Sequence, residues 1–200
     1  MKGLLLKDWY LTIKYMRSFL IIIAAFLVAS VFNPENSFFM AYPCIMLAMT
    51  PTTLYSYDDR EKWTVYAQAF PVSRAQYVTE KYLFGAICTA IYLALLTLMH
   101  LLSGMEGLGD AVAITMSAGL LASAIMLPIL FRFGAEKGRI AYLVFIGAVF
   151  GGVGIAYVTN RPTSRFDEFP VPNWALCVVP IALYVLSWRL SVRLYNKREL

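Results

Sequence analysis

The sequence predicts an all-α polytopic membrane protein: six transmembrane helices, an N-terminal interfacial helix and a cytoplasmic helix between spans two and three. Three observations carry this. Of the 200 residues, 60% are hydrophobic and only 14% charged, with mean hydropathy +0.66, whereas soluble domains are about 25% charged. Apolar runs fall at 18–32, 38–55, 82–102, 111–131, 140–159 and 174–194, and each approaches the roughly 20 residues that cross a hydrocarbon core. With the N-terminus inside, 15 of the 17 basic residues face the cytoplasm and only Arg161 and Arg165 face outward. Positive loops stay inside, so both termini and the 57–82 segment are expected to be cytoplasmic. The loops are too short for a separate soluble domain, and residues 1–200 form a single membrane domain.

Residues 1–17 place Leu5, Leu6, Trp9, Ile13 and Met16 on one side, with Lys7 and Lys14 on the other. They read as an interfacial helix anchored by Trp9 and Tyr10 at headgroup level, rather than as a leader peptide. In the second span Pro43 and Pro51 predict kinks, as do Pro128 in the fourth and Pro180 in the sixth; membrane helices tolerate proline when neighbours satisfy the freed carbonyls.

Between spans two and three lies the only long polar passage flanked by apolar ones, YDDREKWTVYAQAFPVSRAQYVTEKY at 57–82. Asp58, Asp59 and Glu61 suit a helix N-terminus, where unpaired N–H groups attract negative charge. Trp63, Tyr66, Ala67 and Phe70 then form an i, i+3, i+4, i+7 stripe, so an amphipathic helix is expected over 58–70. Pro71 ends it, and Ser73 with Gln76 has the spacing of a capping box that opens the next helix at Arg74. Such a stripe suits either docking in a partner's groove or lying on lipid.

Cys44, Cys88 and Cys177 sit in apolar runs without metal-like spacing and read as small core hydrophobes. His100, near the outer end of the third span, reads as an interfacial side chain. In the fifth span Gly147 and Gly151 make a G-x-x-x-G pair, which marks close helix packing either within the subunit or between subunits.

The charge pattern also excludes functions. No acid or base lies in the middle of a span, which disfavours ion-coupled transport. A lone histidine without clustered carboxylates or thiols makes no metal or hydrolase site, which weakens a membrane enzyme. The chain lacks the phosphate-binding G-x-x-x-x-G-K-[ST] motif, so it is not expected to hydrolyse ATP. The net charge of +5 follows from the inside bias and implies no nucleic-acid partner.

The order of features resembles the membrane subunit of a type-2 ABC exporter, and in detail the small permeases related to the phenol-soluble modulin peptide exporters. The matching residues are K-G-L-L-L-K-D-W at 2–9, the acids before Lys62 and Trp63, Tyr66, F-P-V-S-R at 70–74 and Lys81-Tyr82. The family's usual Leu-Pro-x-Ser-Arg run has Phe70 in place of Leu here. The resemblance covers the whole chain in topology, and its specific motif covers about 58–82. It implies a bacterial plasma-membrane permease that pairs as a dimer, typically a homodimer, above two ATP-binding subunits. Those partners would carry ATP and magnesium, and this chain would hold no cofactor. Residues 58–70 would be the coupling helix, with Asp59, Lys62, Trp63, Tyr66, Phe70, Pro71, Ser73 and Arg74 at the ATPase-subunit docking site. Residues 1–17 would be the connecting helix, and spans one and five would line the central pathway, favouring a dimer contact at Gly147 and Gly151. The implied cargo is an amphipathic peptide or another hydrophobic molecule. Apolar walls rich in Met and aromatics, with hydroxyls at Thr115, Ser117 and Ser123 but no fixed charge, fit such a cargo. The alternative is a non-transporting scaffold or immunity protein that uses the 58–70 helix to bind a cytoplasmic partner.

Overall fold

The computed structural model describes residues 2–32, 37–66, 73–103, 108–158 and 173–196. All described elements are helical: α1 (Lys2–Tyr15), α2 (Arg17–Phe32), α3 (Ser37–Ala48), α4 (Thr50–Arg60), α5 (Trp63–Tyr66), α6 (Arg74–Ser103), α7 (Leu108–Val158) and α8 (Asn173–Asn196). Among the described residues, Arg74–Ser103, Gly109–Gly134 and Ala175–Asn196 are long and apolar enough to cross a membrane. The pair Lys2–Tyr15 and Arg17–Ser30, bent by 80°, passes the same test only when both helices are counted as one broken span, which brings the number to four at most. That is fewer than the six apolar runs of the sequence. The second run is one reason, because it is divided into α3 and α4, of 12 and 11 residues.

Proline chemistry accounts for that division. Pro51 lies in the first turn of α4, where its missing N–H costs no helical bond. The Thr52 amide turns to Met49 O at 3.0 Å, which leaves Ala48 O without its helical donor. Ser123 of α7 donates to that carbonyl at 2.7 Å. The same device recurs at Pro128. It cannot donate to Ala124 O, four residues earlier, and Ser187 of α8 supplies the bond at 2.6 Å. Both prolines therefore tie neighbouring helices together. Ser123, expected to line a pathway, is instead buried and bonded within the core.

α7 is interrupted at Gly134 (φ 84°, ψ 178°), a backbone state that side chains rarely allow. The break separates the fourth and fifth expected spans. α3 and α7 approach closely: a Cβ at Gly119 would stand 2.8 Å from Cys44 Sγ. One core cluster joins Tyr55, Tyr77, Tyr82, Leu127, Phe131 and Tyr195 across α4, α6, α7 and α8. Its rings meet edge-on, Tyr55 with Phe131 at 5.2 Å and Phe131 with Tyr195 at 5.4 Å. A second joins α2, α3 and α6 through Ile23, Leu27, Met40, Cys44, Tyr92 and Leu96. Cys44 and Cys88 are buried as expected. His100 is buried as well, not set among headgroups, because the inner face of α6 continues to its last turn.

The face of α1 also departs from expectation. Leu4, Asp8, Thr12 and Met16, spaced by four, point into the protein, while Leu6, Trp9, Tyr10 and Ile13 are exposed. The expected apolar stripe is thus split, with Met16 inward and most of the rest outward. A carboxylate occupies the middle of the buried face.

Candidate functional site

Three elements bring that carboxylate its partners. α4 runs through Asp58 and Asp59 to Arg60, so these acids lie in a last helical turn and do not open a helix as expected. The macrodipole disfavours a carboxylate there, and an anion buried at that end requires nearby cations. Glu61 closes α4, and Lys62 takes a positive φ of 52°. The four-residue α5 follows directly. The third element, α6, opens with the expected capping box: Ser73 N–H donates to Gln76 Oε1 at 2.9 Å, and Gln76 N–H to Ser73 Oγ at 3.2 Å. Over its first two turns it presents Tyr77, Glu80 and Lys81, all buried.

The Lys81 ammonium lies at the centre, 2.5 Å from Asp8 Oδ2, 3.0 Å from Asp58 Oδ2 and 3.7 Å from Glu80 Oε2. Lys7 donates to Asp58 Oδ1 at 2.6 Å and stands 3.5 Å from Asp8 Oδ1. The Tyr77 hydroxyl donates to Asp58 Oδ2 at 2.9 Å. Two ammonium groups thus bind three carboxyl groups, and neither oxygen of Glu80 receives a hydrogen bond among the described residues. Burial alone raises the Asp58 carboxyl, but the Lys81 and Lys7 charges and their hydrogen bonds outweigh it and hold the group below its ordinary value. The indole of Trp63 lies under Lys7, with Nζ 4.6 Å from the ring centroid, a cation–π contact. This ion cluster binds α1, the end of α4, α5 and the start of α6 into one unit. A seam above it joins α6 to α8: Tyr82 shares hydrogen bonds with Ser187 and Ser191, each at 2.7 Å, and Trp188 donates to Thr79 Oγ1 at 3.1 Å.

The expected docking residues fall in different surroundings. Trp63 is half-buried against the tyrosine core and beneath Lys7, so it anchors α5 inward. Tyr66 is 65% exposed. Lys62, Ser73 and Arg74 are exposed, and Asp59 is half-exposed. Phe70 and Pro71 lie outside the described residues. Gly147 is exposed, with no atom within 4 Å of where a Cβ would sit, and Gly151 is helical. Asp8, Tyr77, Glu80 and the central role of Lys81 were not read from the sequence. The available signal was Asp8, polar among Leu4, Thr12 and Met16 at four-residue spacing, and Glu80-Lys81 set directly before an apolar run. Among the described residues no His, Cys, Asp or Glu group is arranged to hold a metal.

A family model described as ABC-2 family transporter protein matches residues 3–196. No curated protein and no solved structure matches the chain.

Proposed function

The chain belongs to the ABC-2 transporter family, whose members are membrane subunits of ABC transporters, and from that premise we propose that it is an exporter permease driven by a separate ATP-binding subunit. The ion cluster carries the reading. A push on the cytoplasmic segment after α4 reaches α6 through Asp58 and Lys81 and reaches α1 through Lys7 and Asp8. Charge pairs that are buried and mutually bonded resist separation, since removing one partner strands the others. The segment therefore moves the third span and the connecting helix together, as a rigid body. The six spans with both termini cytoplasmic, the 2+2 assembly and the 58–70 coupling segment belong to this proposal, the coupling helix proper starting after Lys62. The exposed ring of Tyr66 supports docking, and the open surface at Gly147 supports a contact between two permease subunits. The cargo proposed is an amphipathic peptide, because apolar spans without fixed charge favour apolar surfaces over charged solutes.

The test replaces Tyr66 or Phe70 with Asp. Burial of a large aromatic contributes about 1.5–3 kcal/mol, so each variant is expected to stay in the membrane and lose the ATPase subunit on copurification. Unchanged copurification returns the segment to the lipid surface and the scaffold reading to the front. For cargo, an amphipathic helical peptide is expected to stimulate ATPase activity of the reconstituted complex more than a polar peptide of equal length and charge; equal responses reject it.

A further inference from the structure

Where α1 turns into α2, a concavity of about 710 Å³ is lined by Ile13, Lys14, Arg17, Leu20, Ile21 and Ala24. Its chemistry is divided along its length. The two cations stand at the elbow, and Leu20, Ile21 and Ala24 follow Arg17 at three-, four- and seven-residue spacing, continuing one face of α2. Lys14 and Arg17 are exposed, and none of the ion pairs among the described residues includes either. The Lys14 ammonium lies 5.3 Å from the Tyr15 ring centroid; a cation–π contact at an exposed site is weak and does not compete with an anion.

We propose that this elbow binds one anionic glycerophospholipid of the inner leaflet, with the phosphate between Lys14 and Arg17 and an acyl chain along Leu20, Ile21 and Ala24. Arg17 offers a planar fork that matches phosphate oxygens, and Lys14 adds a point charge beside it. A soluble phosphate satisfies the cations and leaves the apolar wall in water. A purely apolar partner covers the wall and leaves two charges unpaired. A lipid does both, and basic pockets at the cytoplasmic side of membrane helices meet a leaflet of negative surface potential. The bound headgroup pins the hinge between the surface helix and the first span. The inference rests on the chain lying in a membrane, not on what it transports.

The experiment is native mass spectrometry of the purified full chain with phosphatidylglycerol, or with phosphatidylcholine of the same acyl chains. Phosphatidylglycerol adducts are expected to be retained several-fold more, and the double variant Lys14→Gln, Arg17→Gln is expected to reduce them to the phosphatidylcholine level. Lys14→Arg retains them, and so does Arg132→Gln, which removes an exposed cation elsewhere. Helicity of each variant is checked by circular dichroism; if the double variant does not fold, Lys14→Gln against Lys14→Arg carries the comparison. Equal retention of the two lipids, full retention by the charge-removed variants, or equal loss in Arg132→Gln overturns the proposal. Displacement of the lipid by glycerol 3-phosphate at equal concentration overturns it in favour of a soluble anion.

Discussion

Lys81 Nζ lies 2.5 Å from Asp8 Oδ2, joining residues 73 positions apart with both side chains fully buried. The bond fastens α1 to the start of α6, and Asp58 and Lys7 complete it from α4 and α1. Removing one partner of a buried pair typically costs about 3–5 kcal/mol. Lys81→Met is therefore expected to lower the thermal midpoint in detergent sharply, since it leaves Asp8 with Lys7 alone, at 3.5 Å, and removes the one cation paired with Glu80 among the described residues. Asp8→Asn combined with Lys81→Met is expected to cost less than the sum of the two single changes. Strict additivity in that double-mutant cycle would show that the two groups do not interact.

The pH dependence follows from Asp58, whose carboxyl is held below its ordinary 3.8 by Lys81 and Lys7 against the opposing effect of burial. A depressed carboxyl stabilises the fold above the ordinary value and loses that contribution as pH falls through the lower, folded value. The stability gap between the unaltered chain and Asp58→Asn is expected to hold from neutrality down to about pH 5 and to close below 3.8. Thermal melts of both proteins across that range check it; a gap that widens toward low pH contradicts the assignment.

Packing between α3 and α7 supplies a test independent of charge. A methyl at Gly119 meets Cys44 Sγ at 2.8 Å, while its next neighbours, at 3.6 Å, are ordinary contacts. Overpacking of this kind costs about 1–3 kcal/mol. Gly119→Ala is expected to destabilise by that order, and Cys44→Ala in the same chain is expected to restore most of the loss. Failure of the rescue places the strain elsewhere.

Topology is tested by thiol labelling, with Cys44, Cys88 and Cys177 replaced. Asn36→Cys and Asp167→Cys are expected to react with an impermeant reagent in intact cells, and Lys137→Cys is expected to stay unlabelled. Reaction at position 137 rejects the six-span arrangement.

By itself the sequence determined the helical class, the membrane setting and the capping box at Ser73, because apolar run length, charge density and side-chain-to-backbone bonds are local properties. Its motifs at 2–9 and 58–82 pointed to the ABC-2 family, which the match over residues 3–196 bears out. Local reading failed where a side chain answers to a partner far along the chain. Asp58 and Asp59 resemble helix-opening acids, yet Asp58 ends α4 because Lys7 and Lys81 neutralise it there. Asp8 breaks an apolar face, yet it is buried because Lys81 reaches it from α6. Ser123 reads as a pathway hydroxyl from sequence and Ser187 draws no reading there, until the carbonyls freed by Pro51 and Pro128 are set against them. Those pairings span 75 and 63 residues; only the tertiary structure decides them, because the low dielectric of the interior makes each unpaired polar group costly and the fold alone determines which partner is within reach.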